Sequence, residues 1–320
     1  MDSKLDEVLK NYDFEVTSKS RVRGAILMET NAGYKLLKET KASAGRLVWE
    51  NSLKNHLRKK GFNMIDAYCL NKEGNISTPD VYGNRYTVSD WYIGNECNLR
   101  DIKEVYLAAE NLSRLHLMLE SYKPDNDFMK PVCPHISETL VKHNCELRRI
   151  KNYLRLKKDR NEFEVELLKA FYIFYPEAEK AMIDLANIRY ISSEHIKHGA
   201  YTYHNIIMCK EGIATTAFEK STYGPWLLDL YYFMRKVMEK NDWDYEYGMA
   251  VINGYESMRK LEGQEKNALK CLLLYPEKFW KLASYYMNGK KTWISQKNLE
   301  KLMAIEEQRE VRHKFIDEIS

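Results

Sequence analysis

The sequence predicts an α+β chain in two lobes, a small β-rich first lobe over residues 1–95 and a large mainly helical second lobe over 96–320. Two observations carry this. Up to Gly94 the apolar residues alternate in short runs broken by turn residues, with one helical stretch inserted. Beyond Gly94 the spacing changes to the 3.6-residue period, interrupted only between about 189 and 220.

In the first lobe, Gly24-Ala-Ile-Leu-Met-Glu-Thr, a turn at Asn31-Ala-Gly33 and Tyr34–Glu39 read as a hairpin. A helix is expected from about Ser43 to Lys60, with Trp49, Leu53 and Leu57 on one face and Gly61 as its stop. Strand-like runs follow over Phe62–Leu70 and Arg85–Tyr92, separated by turn chemistry at Lys72–Asn75. In the second lobe, Asp101-Ile-Lys-Glu104 reads as a capping box. It opens a helix to about Glu120 that carries Val105, Ala109, Leu112, His116 and Leu119 on one side. Further helices are expected over about 136–158, 161–187, 225–240, 244–260, 263–273, 276–288 and 295–317. Within the interruption, His204–Lys210 and Ile213–Phe218 around Glu211-Gly212 read as a second hairpin.

Composition narrows the function classes. Fifty Lys and Arg stand against 46 Asp and Glu with no long single-sign block, so charge does not favour nucleic-acid binding. No apolar run approaches 18 residues, so no membrane span is expected. The acidic start Met-Asp-Ser-Lys-Leu-Asp-Glu lacks the apolar core of a secretion signal. The six cysteines are scattered without a Cys-x-x-Cys pair, which argues for reduced thiols and against a metal site.

The chemistry-bearing stretch is His198-Gly-Ala-Tyr-Thr-Tyr-His-Asn205. In kinase-like folds, a loop of the form His-x-Asp-x-x-x-x-Asn supplies a base for the acceptor hydroxyl and an Asn for Mg²⁺, and the hairpin after it ends on a second metal-binding Asp. The order of a small strand-rich lobe, a hinge and a helical lobe with an embedded hairpin matches that bilobal layout. In this frame His198 and Asn205 are in register, Ala200 stands at the base position, and Ala217, in Thr216-Ala-Phe-Glu219, stands at the metal Asp. A methyl group neither accepts a proton nor coordinates a cation. Loss of a general base alone lowers a rate by about 10²–10⁴-fold, so no efficient catalysis by the usual route is expected, and no metal ligand set is intact.

The remaining candidates are remnants. Lys38 is the candidate nucleotide lysine, with Glu50 on the following helix as its carboxylate partner; the plainer readings are a solvated strand lysine and a surface acid. Glu219 is a candidate compensating acid, although in a continuing strand it would lie roughly 6–7 Å beyond position 217. His204 is a second possible base, expected to point away from the Asn205 side of its hairpin. Tyr201 and Tyr203 are expected to line or cover the cleft. Asp229, within Leu227-Leu-Asp-Leu-Tyr231, is expected to brace the loop, and His198 and His116 to be packed core histidines. No cofactor is expected; ATP binding without efficient Mg²⁺ coordination remains compatible with the residues.

Together, Gly33–Lys38, Leu112-Ser-Arg-Leu-His116, His198-Gly-x5-Asn205, Phe218-Glu219 and Asp229-Leu230 resemble the aminoglycoside/choline phosphotransferase-like branch of kinase folds. Asp229–Lys240 with Trp243, Tyr275-Pro-Glu-Lys-Phe-Trp-Lys281, Tyr285-Tyr286, Lys291-Thr-Trp-Ile294 and Asn298-Leu-Glu-Lys301 are similar to the CotS-type spore coat proteins. The resemblance covers about residues 15–310. It implies synthesis in the mother cell during sporulation, deposition in the spore coat and other coat proteins as partners, with no particular oligomeric state. The departures at 200 and 217 imply a pseudokinase that acts as a structural or scaffolding component. An atypical small-molecule or protein phosphotransferase and a nucleotide- or sugar-binding regulator are the alternatives.

Overall fold

The computed structural model describes residues 2–22, 24–123, 135–188, 195–289 and 296–319. In chain order the first half comprises α1 (Asp2–Leu9), β1 (Val16–Val22), β2 (Ala25–Thr30), β3 (Gly33–Thr40), α2 (Ala44–Lys59), β4 (Tyr68–Cys69), β5 (Ser77–Pro79), β6 (Arg85–Asp90), β7 (Asn95–Glu96), α3 (Ile102–Glu120) and α4 (Ile136–Leu156). Then come α5 (Glu162–Ala186), β8 (Ile196–Lys197), β9 (Ile206–Cys209), β10 (Gly212–Thr215), β11 (Thr222–Tyr223), α6 (Leu227–Lys240), α7 (Tyr245–Glu256), α8 (Gly263–Leu274), α9 (Glu277–Asn288), α10 (Gln296–Glu307) and α11 (Arg309–Glu318).

Among the described residues, the first sheet has the order β1-β2-β3-β6-β4, with β5 also pairing β6. The anticipated hairpin is β2–β3, with Thr30 opposite Gly33. The structure adds α1 and β1 ahead of it. Val8 and Leu9 of α1 bury against Met28, Leu37 and Val88 on the sheet. The inner face of α2 instead joins the main core: Trp49, Leu53 and Leu57 cluster with Leu112, Leu115 and Leu119 of α3. Ser43 caps α2, its hydroxyl accepting the Arg46 N–H at 3.2 Å.

Three expectations are corrected. Phe62–Leu70 is strand only at Tyr68–Cys69. Phe62, Ile65 and Ala67 all bury, and the segment bonds to the end of β10, where Thr215 N–H donates to Met64 O at 2.9 Å. The second hairpin is shorter than expected, β9–β10, because Tyr203–Asn205 and Phe218–Lys220 form 3₁₀ turns at its two ends. The expected helix over 295–317 divides at Gln308 into α10 and α11, which turns Arg309, Arg312 and His313 toward Glu177 of α5. β7, at the boundary expected after residue 95, pairs with β9 of the second hairpin. Lys291–Ile294 and Cys133 lie outside the described residues.

Candidate functional site

A cleft of about 860 Å³ opens between the sheet with α2 on one side and β9–β10 with its following turn on the other. Lys38, Glu50, Asn205, Ala217 and Glu219 all line it.

The loop is held from below. Asp229, 1% exposed, accepts the His198 N–H at 2.6 Å and the Gly199 N–H at 2.9 Å, and lies 3.4 Å from His116 Nε2. Burial alone would raise its pKa. The His116 hydrogen bond and the charges of Lys197, His116 and His198 outweigh burial and hold the carboxyl below its usual value. Gly199 has φ +78°, and a Cβ there would sit 2.1 Å from Lys220 O, so only glycine fits between the loop and the turn at 218–220.

His198 is fully buried and bridges the same two segments. Its Nδ1 accepts the Ala200 N–H at 3.2 Å, and its Nε2 faces Thr216 O at 3.0 Å. An acceptor role at one nitrogen and a donor role at the other require the neutral imidazole. Desolvation by burial lowers its pKa to about 4 from 6.5. The unfolded chain therefore binds a proton that the folded chain refuses between those values, so stability falls as pH drops from 6.5 to 4. His198 should contribute about 3 kcal/mol to that fall. Urea unfolding of wild type and His198→Gln at pH 4 and pH 7 checks this, with a shallower dependence expected in the variant.

At positions 200 and 217, neighbouring polar side chains bond to the backbone. The Asn205 amide donates to Ala200 O at 2.8 Å. Ala217 takes a left-handed conformation, φ 69° and ψ 44°, and its N–H donates to Asp66 Oδ2 at 2.9 Å. The chain therefore leaves the strand at Ala217 and turns back. Glu219 is not displaced 6–7 Å along a strand, as expected, but faces Lys38 with Oε1 2.7 Å from Nζ.

The expected Lys38–Glu50 pairing is absent in consequence. Glu50 is 1% exposed and no surface acid; it meets Arg46 Nε at 2.5 Å and accepts the Tyr68 hydroxyl at 2.6 Å. His204 lines the cleft with Asn205, contrary to its expected orientation, its Nδ1 2.6 Å from Glu96 Oε2. Tyr201 is buried and does not reach the cleft: its hydroxyl donates to Ala108 O at 2.7 Å and accepts from Asn111 Nδ2 at 3.0 Å. Tyr203 stacks beneath Lys240, whose Nζ lies 4.0 Å from the ring centroid.

Three cleft residues went unnoticed in the sequence. Arg46 crosses to the other wall, donating to Glu219 O at 2.9 Å and Ser221 O at 2.8 Å. Lys54, 1% exposed, donates to Asp66 O at 2.8 Å and lies 3.2 Å from Asp66 Oδ1, over the Tyr68 ring. Burial raises the Asp66 pKa, with Lys54 opposing that rise. A signal existed: Glu50 and Lys54 share the buried stripe of α2 with Leu47 and Leu57 at helical spacing.

Of the groups a Mg²⁺ ion would use in the kinase-like frame, Ala217 offers a methyl group where a carboxylate is needed. Asn205 donates through its amide nitrogen to Ala200 O, which leaves its Oδ1 as an oxygen ligand, and Asp66 is engaged by Lys54 and a backbone N–H. Among the described residues, His, Cys, Asp and Glu side chains nowhere gather in threes able to hold a metal. Among the same residues, no helix is long and apolar enough to cross a membrane.

No family model matches the chain. It is 22% identical to Spore coat protein S of Bacillus subtilis (strain 168), over 98% of this chain and 93% of that one. Among solved structures it is similar to an aminoglycoside phosphotransferase from Alicyclobacillus acidocaldarius, with a TM-score of 0.87, 17% identity, and 98% of this chain and 94% of that chain covered. It is also similar to a spectinomycin phosphotransferase solved with ADP and spectinomycin, with a TM-score of 0.66, 13% identity and 98% of each chain covered. The chain is therefore similar over nearly its whole length to Spore coat protein S and has the fold of the aminoglycoside phosphotransferases.

Proposed function

We propose that this protein is a component of the spore coat that keeps a phosphotransferase fold for its architecture and has given up phosphoryl transfer. The homology to a spore coat protein supports the location and the class of partner, other coat proteins. The observation that carries the loss of chemistry is the pair of methyl groups at Ala200 and Ala217, where the kinase-like frame needs a base and a metal-binding acid, with the Ala217 N–H turned onto Asp66. Phosphoryl transfer works by positioning groups and neutralising charge, and both acids it relies on are missing.

A second reading, an atypical phosphotransferase, is favoured by one arrangement: Lys38 and Glu219 face each other in the same cleft as Asn205. One assay separates the two. Purified protein incubated with ATP and Mg²⁺ or Mn²⁺ is expected to release no ADP above background. Turnover that Lys38→Ala abolishes would overturn the first reading. In a sporulating host, deletion of the gene is expected to change the set of coat proteins recovered from spores, and a catalytically silent Lys38→Ala allele is expected to restore it.

A further inference from the structure

The charges lining the interlobe cleft are balanced, five Lys or Arg side chains against five Asp or Glu. Three cations already have internal partners: Lys38 with Glu219 at 2.7 Å, Arg46 with Glu50 at 2.5 Å, and Lys54 with Asp66 at 3.2 Å. They differ in access. The Lys38 side chain is 50% exposed, whereas those of Arg46 and Lys54 are 20% and 2% exposed. Of these three paired cations Lys38 is therefore the most open to an anionic ligand entering the cleft, and the carboxylate of Glu219 already sits on it.

Glu219 is held there by the backbone. The left-handed residue Ala217 turns the chain into the cleft, and Arg46 Nη2 fixes the next stretch by donating to the carbonyls of Glu219 and Ser221. A carboxylate oxygen 2.7 Å from an ammonium takes the place that a phosphate oxygen would take on the same group.

We propose that Lys38 marks an anion site for a phosphate-bearing small molecule and that Glu219 is its built-in occupant, so the cleft admits such a ligand only by displacing or neutralising this carboxylate. The proposal rests on the non-catalytic reading of the cleft, but it concerns binding and not turnover. Burial works against ionisation of Glu219, yet the hydrogen bond and charge of Lys38 hold its pKa below the usual carboxylate value. The occupant therefore stays anionic at neutral pH and is not released by mild acidification.

The probe is ADP in EDTA at low ionic strength, followed by calorimetric titration, with inorganic phosphate in a parallel arm. Glu219→Gln keeps the shape and removes the charge. It is expected to bind ADP on the order of tenfold more tightly than wild type, because a like charge a few Å from the phosphate is gone. Glu219→Ala should behave the same way and guards against an effect peculiar to glutamine. Adding Lys38→Ala to Glu219→Gln is expected to return the affinity to the wild-type level, and raising the salt should narrow the gap between wild type and Glu219→Gln. A gain for ADP alone would assign the site to nucleotides; a gain for both probes would assign it to phosphate as such. Equal ADP affinity in wild type and Glu219→Gln, no binding by either at millimolar ADP, or a gain that survives Lys38→Ala would each overturn the proposal. Those results would leave the non-catalytic reading standing, whereas ATP turnover by wild type would remove that reading without altering the affinities compared here.

Discussion

Asp229→Ala is expected to lower the unfolding free energy by about 3–5 kcal/mol, read as a shift of the urea midpoint at unchanged slope. The carboxylate accepts two buried backbone N–H groups, those of His198 and Gly199, and faces His116. A methyl group leaves both donors without a partner, at about 1–3 kcal/mol each. It also leaves His116 without its carboxylate, stacked between the Trp226 ring and the Tyr255 hydroxyl. Asp229→Asn keeps the volume and one acceptor oxygen but turns an amide N–H toward a second donor, so its loss should be smaller than that of alanine. A change below about 1 kcal/mol in Asp229→Ala would mean that the loop is held by its other contacts, and the bracing account would fail.

The second large effect lies far from the cleft. Glu177 of α5 is met by three side chains from α11: Arg309 Nε at 2.5 Å, Arg312 Nη2 in direct contact, and His313 Nε2 at 2.8 Å. Arg312 is 5% exposed, and burial lowers its pKa against the pull of Glu177. Glu177→Gln should therefore cost about 3–5 kcal/mol, because it strands a buried guanidinium without its counter-charge. Replacing both partners, Glu177→Leu with Arg312→Met, should recover most of that loss, since a well-packed apolar pair of similar volume is often neutral. The double-mutant cycle decides the matter. If the double variant is as unstable as Glu177→Gln, the cost lies in packing and not in the orphaned charge.

The elements written in local pattern were legible in the sequence, and the cleft was legible only in part. Ser43 and Asp101 announce their helices because a cap acts on backbone N–H groups two or three residues away. β1 was missed because its residues Val-Thr-Ser-Lys-Ser-Arg-Val are mostly exposed and lack apolar alternation. His204 and Tyr203 were misplaced because a 3₁₀ turn at 203–205 rotates successive side chains by about a third of a turn, where a strand would alternate them. Glu219 was misplaced because a left-handed alanine bears no mark in sequence, unlike glycine or asparagine. Lys54 with Asp66, and Lys38 with Glu219, are pairings over distance in the chain, and no spacing rule encodes them.

The close approach at Gly199 couples two parts of the molecule mechanically. With the loop backbone pressed on Lys220 O, His198 wedged between Ala200 N and Thr216 O, and the Ser221 hydroxyl on His198 O, neither segment has slack of its own. The loop at 198–205 and the turn at 216–221 therefore open together or not at all, as one cooperative unit anchored on Asp229. Whatever chemistry the cleft performs, the fold carries this joint, and with it a single point through which solvent reaches both segments at once.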